Sequence, residues 1–314
     1  MIKKSGKNSR LCISLLGLAF AFAGRIAATD QGPLQKFPDY RPVPAWPLLP
    51  KELKFGPVSA VATDSNDNVF IFHRGKNPVM VFTPDGKFLR SWGDEHFKSP
   101  HGLRIDKDNN VWTTDTGYHQ VLKFDPNGKL LLSLGTKGQA GNTPDRYDRP
   151  TDVAVAANGE FYVTDGYGNF RVLKYSKDGK LLKQWGKKGK GPGEFNLPHA
   201  ICVDSKGQVY VGDRDNGRIQ VFDADGKFLA QWKEGRWPYG MFLTREGQMF
   251  VADGWTNWVR VLDKDGKELG RWGGTGKGPG QFGMPHMLCV DSQGAVYVAE
   301  VDGERIQKFV AKRD

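Results

Sequence analysis

The stretch PHAICVDSKGQVYVGDRDNGRIQVFDADGKFLAQW, from Pro198 to Trp232, decides the fold. It holds four short apolar runs separated by polar turns. The first run, Ala200 to Val203, ends at Asp204 and a Ser-Lys-Gly turn. The second, Val209 to Val211, ends at Asp213. The third, Ile219 to Phe222, leads into Asp225-Gly226, and the fourth ends at Trp232. An Asp-Gly pair between two apolar runs is a hairpin signal, because its tight turn needs residues that tolerate positive φ. Nothing in the stretch has helical periodicity, so it reads as a four-stranded antiparallel unit.

The pattern recurs along the chain. Related copies begin near Pro57, Pro100, Pro150, Pro238 and Pro285, with hairpin turns at Asp85-Gly86, Asn127-Gly128, Asp178-Gly179 and Asp265-Gly266. Four strands per unit at a spacing of roughly 40–50 residues indicate a propeller. The sixth copy stops after Phe309, before its fourth strand. The Pro-rich segment Tyr40 to Phe55 is the piece expected to complete it and so remove an exposed sheet edge. Two Gly-rich stretches, GKKGKGPGEF (Gly186 to Phe195) and GGTGKGPGQF (Gly273 to Phe282), lack the Lys-Ser/Thr of a phosphate-binding loop and read as connectors between blades. These loops and the Tyr-Val-x-Asp strands resemble the NHL repeat family over nearly the whole chain after residue 23. The expected fold is all-β, a six-bladed β-propeller of NHL-type repeats over 55–314, preceded by a closing segment at 24–54.

The remaining composition agrees with this. Of the 314 residues, 39% are hydrophobic, enough for one sizeable core, and the 40 glycines and 18 prolines fall between apolar runs, as closely spaced turns require. Residues 1–23 read as a signal peptide: Lys3, Lys4, Lys7 and Arg10 precede an apolar stretch from Leu11 to Phe22, and Ala21-Phe22-Ala23 offers a small-x-small cleavage site. Cys12 precedes the apolar stretch instead of following it, which disfavours a lipid anchor. No later segment is long and apolar enough for a membrane span. The expected product is a secreted or periplasmic monomer. Its removal takes four positive charges and no negative ones, so the formal net charge falls from +10 to +6. The basic residues left are scattered, which gives no footprint for nucleic acid. Cys202 and Cys289 hold the same place in two non-adjacent repeats and are expected to be buried free thiols.

Stacking the repeats brings out the chemistry. The residue heading each innermost strand reads Ser59, His101, Thr151, His199, Tyr239, His286. Histidine occupies blades two, four and six, a third of a turn apart around one axis. Inner strands line a propeller's channel, so three imidazoles are expected to converge there, as in a catalytic zinc site with an open fourth position. His73, His96 and His119 fall out of phase and are expected to be structural. Fifteen residues beyond the first position, the stack reads Arg74, Thr116, Gly166, Arg214, Gly254, Val301, and Tyr167 follows in blade three. Arginines in blades one and four face each other across the channel and suit an anionic substrate. Asp115, Asp165, Asp213 and Asp253 recur at one strand end and are expected to fix turns.

These constellations resemble the peptidyl-α-hydroxyglycine α-amidating lyase family. The stretches that carry the resemblance are IFHRG (Ile71 to Gly75), PHGLRID (Pro100 to Asp106), VTDGYGNFRV (Val163 to Val172), LPH (Leu197 to His199), GDRDNGRIQVF (Gly212 to Phe222) and MPH (Met284 to His286). The resemblance implies zinc on His101, His199 and His286, Tyr167 as catalytic base, and Arg74 and Arg214 as substrate contacts. The implied substrate is a small molecule or peptide with an α-hydroxy acid amide end, cleaved to an amide and glyoxylate. It also implies a calcium ion on the backbone carbonyls of Val61 and Leu103. The family's third calcium ligand is an aspartate, and here that position is Met287, whose thioether is a poor ligand for a hard cation, so no tight calcium site is expected. The family's animal members place a cysteine after the tyrosine, where this chain has Gly168, and no hydroxylating domain is expected beside the propeller. Two other readings stay open at this point: a lactonase-like metal-dependent propeller hydrolase, and an exported NHL propeller that binds without catalysis.

Overall fold

Three consecutive strands in each repeat carry apolar residues on both faces, and such strands must be covered on both sides. Stacking blades face to face around an axis meets that need. The computed structural model, which describes residues 38–312, contains six antiparallel four-stranded sheets. In the fourth, Pro198–Val203, Val209–Asp213, Arg218–Phe222 and Phe228–Trp232 form a meander. Its register places Ile201 opposite Val211, Val211 opposite Gln220 and Val221 opposite Ala230. The inner three strands are buried almost throughout, while Phe228–Trp232 is half-exposed. The six inner strands, beginning at Val58, Pro100, Asp152, Pro198, Pro238 and Pro285, pack one on the next and close a ring. Among the described residues no helix is long and apolar enough to cross a membrane; the one helical turn is the short 3-10 segment Arg214–Asn216.

The Trp-Gly ending of the repeats has a packing cause. Gly226, in the hairpin turn of blade four, has φ of 81°. A Cβ there would lie 2.5 Å from the Trp185 ring of blade three. Each such indole covers the turn glycine of the following blade. The same contact links Trp92 with Gly128, and Trp232 with Gly266. Blade one has no preceding repeat in the chain, and its Gly86 lies against Trp46 from the segment ahead of the propeller. Of the stretch Tyr40 to Phe55, only Tyr40–Pro42 forms a strand. It is the outer strand of the last sheet, with Tyr40 opposite Ala311 and Pro42 opposite Phe309. Leu49, Leu53 and Phe55 then pack on the core shared by the last and first blades. The segment 1–23 and residues 24–37 lie outside the described part of the chain.

The recurrent acids at the end of the second strand are fully buried. Asp213 accepts hydrogen bonds from the backbone N–H of Asn196 at 2.7 Å and from the side chains of Asn216, Arg218 and Gln220. Asp165 does the same with the N–H of Asp148, Asn169 and Arg171. Asp115 takes the N–H groups of Lys98, Ser99 and Tyr118, and in blade six Glu300 takes that of Gly283 together with Arg305 and Gln307. In blade one the acceptor is His73, whose Nδ1 receives the N–H of Gly56 and Gly75. Each group ties down the connector that leads into its own blade's inner strand. Cys202 and Cys289 are buried free thiols, and Cys202 donates to the Met241 carbonyl at 3.4 Å.

Removing one of these acids leaves a buried guanidinium short of its partner and a connector N–H unsatisfied. Asp213→Ala is therefore expected to cost about 3 kcal/mol or more of stability. The exposed turn residue Asp178, changed to Ala, is expected to cost no more than about 0.5 kcal/mol. Urea unfolding followed by tryptophan fluorescence checks the difference, and equal midpoints would refute the anchoring role.

Candidate metal centre

The inner strands of blades two, four and six, like those of blades one and five, each open with an irregularity. The register slips between Pro198 and Ala200, and likewise between Pro100 and Leu103 and between Pro285 and Leu288. In blade four the residue left out of the ladder is His199; His101 and His286 lie within the corresponding slips. A bulge re-aims the side chain it carries. Here it brings three buried imidazoles together at the axis, with ring centroids 4.7, 4.8 and 4.9 Å apart. One ring nitrogen from each lies within 4.8 Å of the others, an arrangement that could hold a metal ion.

The backbone fixes the tautomer. His101 Nδ1 lies 2.6 Å from the Thr151 carbonyl, His199 Nδ1 2.6 Å from that of Tyr239, and His286 Nδ1 2.6 Å from that of Ser59. A carbonyl only accepts, so each Nδ1 carries the proton and each Nε2 presents a lone pair. All three imidazoles are held neutral. Burial is the main cause, reinforced for His101 by His286 and Arg74 and for His199 by Arg214. Burial and Arg74 bring His286 down to about 3. The lone pairs have little else to bind. The Tyr167 hydroxyl sits 3.2 Å from Nε2 of both His101 and His199 but has a single proton, and His286 Nε2 has no hydrogen-bond partner among the described residues. Three neutral nitrogen donors left short of protons match the demand of zinc or a similar divalent ion. Their carbonyl partners are the outer contacts that orient metal-binding imidazoles.

The other expected residues gather around this centre. Gly166 lets blade three close in, since a Cβ there would lie 2.0 Å from the Pro198 carbonyl oxygen. Tyr167 follows it and reaches the histidines. Arg214 begins the 3-10 turn, donates from Nε to Asp215 at 2.8 Å, and holds its guanidinium carbon 5.7 Å from the Tyr167 ring and 4.6 Å from the Tyr239 ring. Arg74 donates from Nε to the Pro100 carbonyl at 3.1 Å. Neither arginine's Nη groups have a hydrogen-bond partner among the described residues, so both forks remain available to an anion. Two further neighbours escaped the sequence reading. Arg149 lies 5.6 Å from the Tyr167 ring and donates to its backbone carbonyl. It sits in the loop before its inner strand, outside the two stacked positions, and the out-of-phase His119 holds its N–H at 3.1 Å. Tyr239 was visible in the first stack, but its place beneath Arg214 was not. Met287 is fully buried in the apolar cluster that contains Leu103, and Val61 is buried in the neighbouring one.

Comparison with known proteins agrees with this architecture. The NHL repeat model matches residues 97–124, 147–175 and 195–222. The chain is 37% identical over 297 residues to NHL repeat-containing protein 3 of Homo sapiens, covering 86% of this chain and 84% of that one. It is 34% identical over 319 residues to peptidyl-alpha-hydroxyglycine alpha-amidating lyase 1 of Drosophila melanogaster, covering 85% of this chain and 59% of that protein. Among solved structures, a streptogramin B lyase superposes with a TM-score of 0.62 at 14% identity, over 88% of this chain and 98% of that one, a likeness of fold alone. With its six blades, its matched repeats and a relative aligned over most of both chains, the protein belongs to the NHL-repeat propeller family that includes human NHL repeat-containing protein 3.

Proposed function

We propose that the protein is an exported, zinc-dependent lyase that cleaves the C–N bond of a peptidyl-α-hydroxyglycine, or a similar α-hydroxy amide, to an amide and glyoxylate. The observation that carries this reading is one juxtaposition: three histidine lone pairs, the Tyr167 hydroxyl 3.2 Å from two of them, and two arginine forks with open Nη groups beside it. A lactonase-like hydrolase would ring its ion with carboxylates, and the cluster here is three histidines. The ionisable partners around this centre are a phenol and guanidiniums, which suit proton removal and carboxylate binding instead. The aligned Drosophila lyase is named for this reaction, which supports the reading.

His101, His199 and His286 would hold the metal, which when bound supplies a Lewis acid for an oxygen donor. Arg74 and Arg214 bind the substrate carboxylate and orient the reacting carbon. Tyr167, acting as its phenolate, accepts the proton of the substrate hydroxyl. The electron pair of that O–H bond becomes the new carbonyl of glyoxylate, the pair of the C–N bond leaves with nitrogen, and nitrogen takes up the proton that Tyr167 received. No water is consumed. Charge that builds up on the substrate during this step lies among Arg74, Arg149 and Arg214.

Four outcomes test the reading. His199→Ala is expected to lower zinc content from about one per chain to a small fraction while leaving the unfolding midpoint of the metal-free proteins nearly unchanged, since the closed ring carries the stability. Unaltered zinc by elemental analysis would remove the metal assignment. Tyr167→Phe is expected to keep its zinc and lose on the order of a hundredfold or more in kcat for glyoxylate release. Arg74→Ala or Arg214→Ala should raise KM, with only partial rescue by Lys, because a point charge does not reproduce a two-pronged contact. Because Met287 lies among apolar side chains, calcium added to the zinc-loaded protein is expected to leave its melting temperature unchanged. A calcium-dependent rise would reveal a bound ion.

A further inference from the structure

The rim around the metal centre is asymmetric. Going from Arg74 in blade one to Arg214 in blade four through blades two and three, it carries Thr116, Arg149 and Tyr167, a polar and cationic arc. The other way round, through blades five and six, the stacked positions read Tyr239 and Gly254, then Val301, with the exposed Arg236 and Asp302 beside them. On blade five the apolar positions continue outward. Gly254 packs flat on the Tyr239 ring, where a Cβ would lie 2.6 Å from Cγ. The next residue, Trp255, is 70% exposed, the most exposed large apolar side chain among the described residues. Trp237, half-buried and two residues before Tyr239, stands beside it, with ring centroids 6.4 Å apart. Tyr239 itself lies 5.4 Å from His199.

We infer that Trp237 and Trp255 form a platform that takes the apolar side chain of the substrate residue preceding the α-hydroxyglycine. The inference rests on the lyase reading for the identity of that substrate. Such a substrate has two unlike ends, a carboxylate at the reacting residue and a peptide chain leaving through the amide nitrogen. The carboxylate is drawn to the arginines. The peptide then leaves on the blade-five side, over Tyr239 and Gly254, where the exposed indole of Trp255 beside Trp237 offers it apolar contact. A peptide that passes over Gly254 advances about 3.8 Å per residue, and Trp255 is the next residue of the same turn. An indole left exposed costs apolar hydration, and covering it with an aliphatic or aromatic group recovers that cost and adds ring-to-ring attraction. The glycine matters to this path: any side chain at position 254 would displace the Tyr239 ring or stand in the way.

The test compares two substrates, peptides ending in Phe-α-hydroxyglycine and in Gly-α-hydroxyglycine, on the zinc-loaded full chain. The wild type is expected to prefer the Phe peptide on the order of tenfold in kcat/KM, mainly through KM. Trp255→Ala should lower the Phe value on the order of tenfold and leave the Gly value within about twofold, with zinc content unchanged. Trp255→Phe should restore most of the preference. A second readout needs no turnover. N-acetyl-Phe-Gly and N-acetyl-Gly-Gly, which lack the hydroxyl and are not cleaved, are titrated against tryptophan fluorescence. The Phe acid is expected to bind several-fold more tightly to the wild type, and equally to the Gly acid in Trp255→Ala. If no hydroxyglycine peptide is cleaved by the wild type, the lyase reading fails while the titration still decides the platform. If the Phe preference survives in both Trp237→Ala and Trp255→Ala, the platform is refuted and the lyase reading stands.

Discussion

A buried acceptor at the end of each second strand connects the fold to the site. Asp213 illustrates it. Its carboxylate is out of water, and burial alone would raise its pKa. Donors from Asn196, Asn216, Arg218 and Gln220 hold the charge in place. Asn196 stands three residues before His199, so the bond that satisfies the acid also fixes where the inner strand starts. Glu300 acts on the connector to His286 through Gly283, and Asp115 on the connector to His101 through Lys98 and Ser99. The position of each imidazole is thus set by electrostatics one strand further out. The ring-to-carbonyl bonds then join each histidine to the following blade, so that tautomer and blade spacing are settled together.

The fold could be read from Pro198 to Trp232 because every level of the signal agreed there. Asp225-Gly226 demanded a hairpin, apolar runs without helical period demanded strands, and the repeat spacing demanded a ring. The Trp-Gly ending was legible as a landmark without its reason, which lies in another blade: indole over turn glycine is a contact between residues some forty positions apart. Trp46 was hidden for the same cause. Nothing in the local sequence of residues 43 to 55 says that this indole takes the place that Trp92, Trp185 and Trp232 take elsewhere.

The candidate site was legible to the extent that it obeys the repeat. His101, His199 and His286 share one phase and Arg74 and Arg214 share another, so stacking predicted that each set would converge. Arg149 breaks the repeat. It reaches Tyr167 from the loop ahead of blade three, held there by His119, and the distance from that loop to the axis is a tertiary fact. Trp237 and Trp255 were unreadable for a different reason. A tryptophan in a β-rich chain is ordinarily a core residue, and only its exposure and its neighbours distinguish one that faces solvent.

The pairing of Tyr40–Pro42 with the last strand of the final sheet has a kinetic meaning. Five of the six sheets are built wholly from neighbouring sequence, so each can zip up as its own hairpins form. The sixth joins residues separated by almost the full described length. Its loop-closure entropy falls due only after the other blades have stacked. Until then the strand Arg305–Ala311 offers a naked row of backbone donors and acceptors, the surface on which foreign strands add. The three residues of the clasp therefore guard the nascent ring against swapping its last blade with that of a neighbouring molecule.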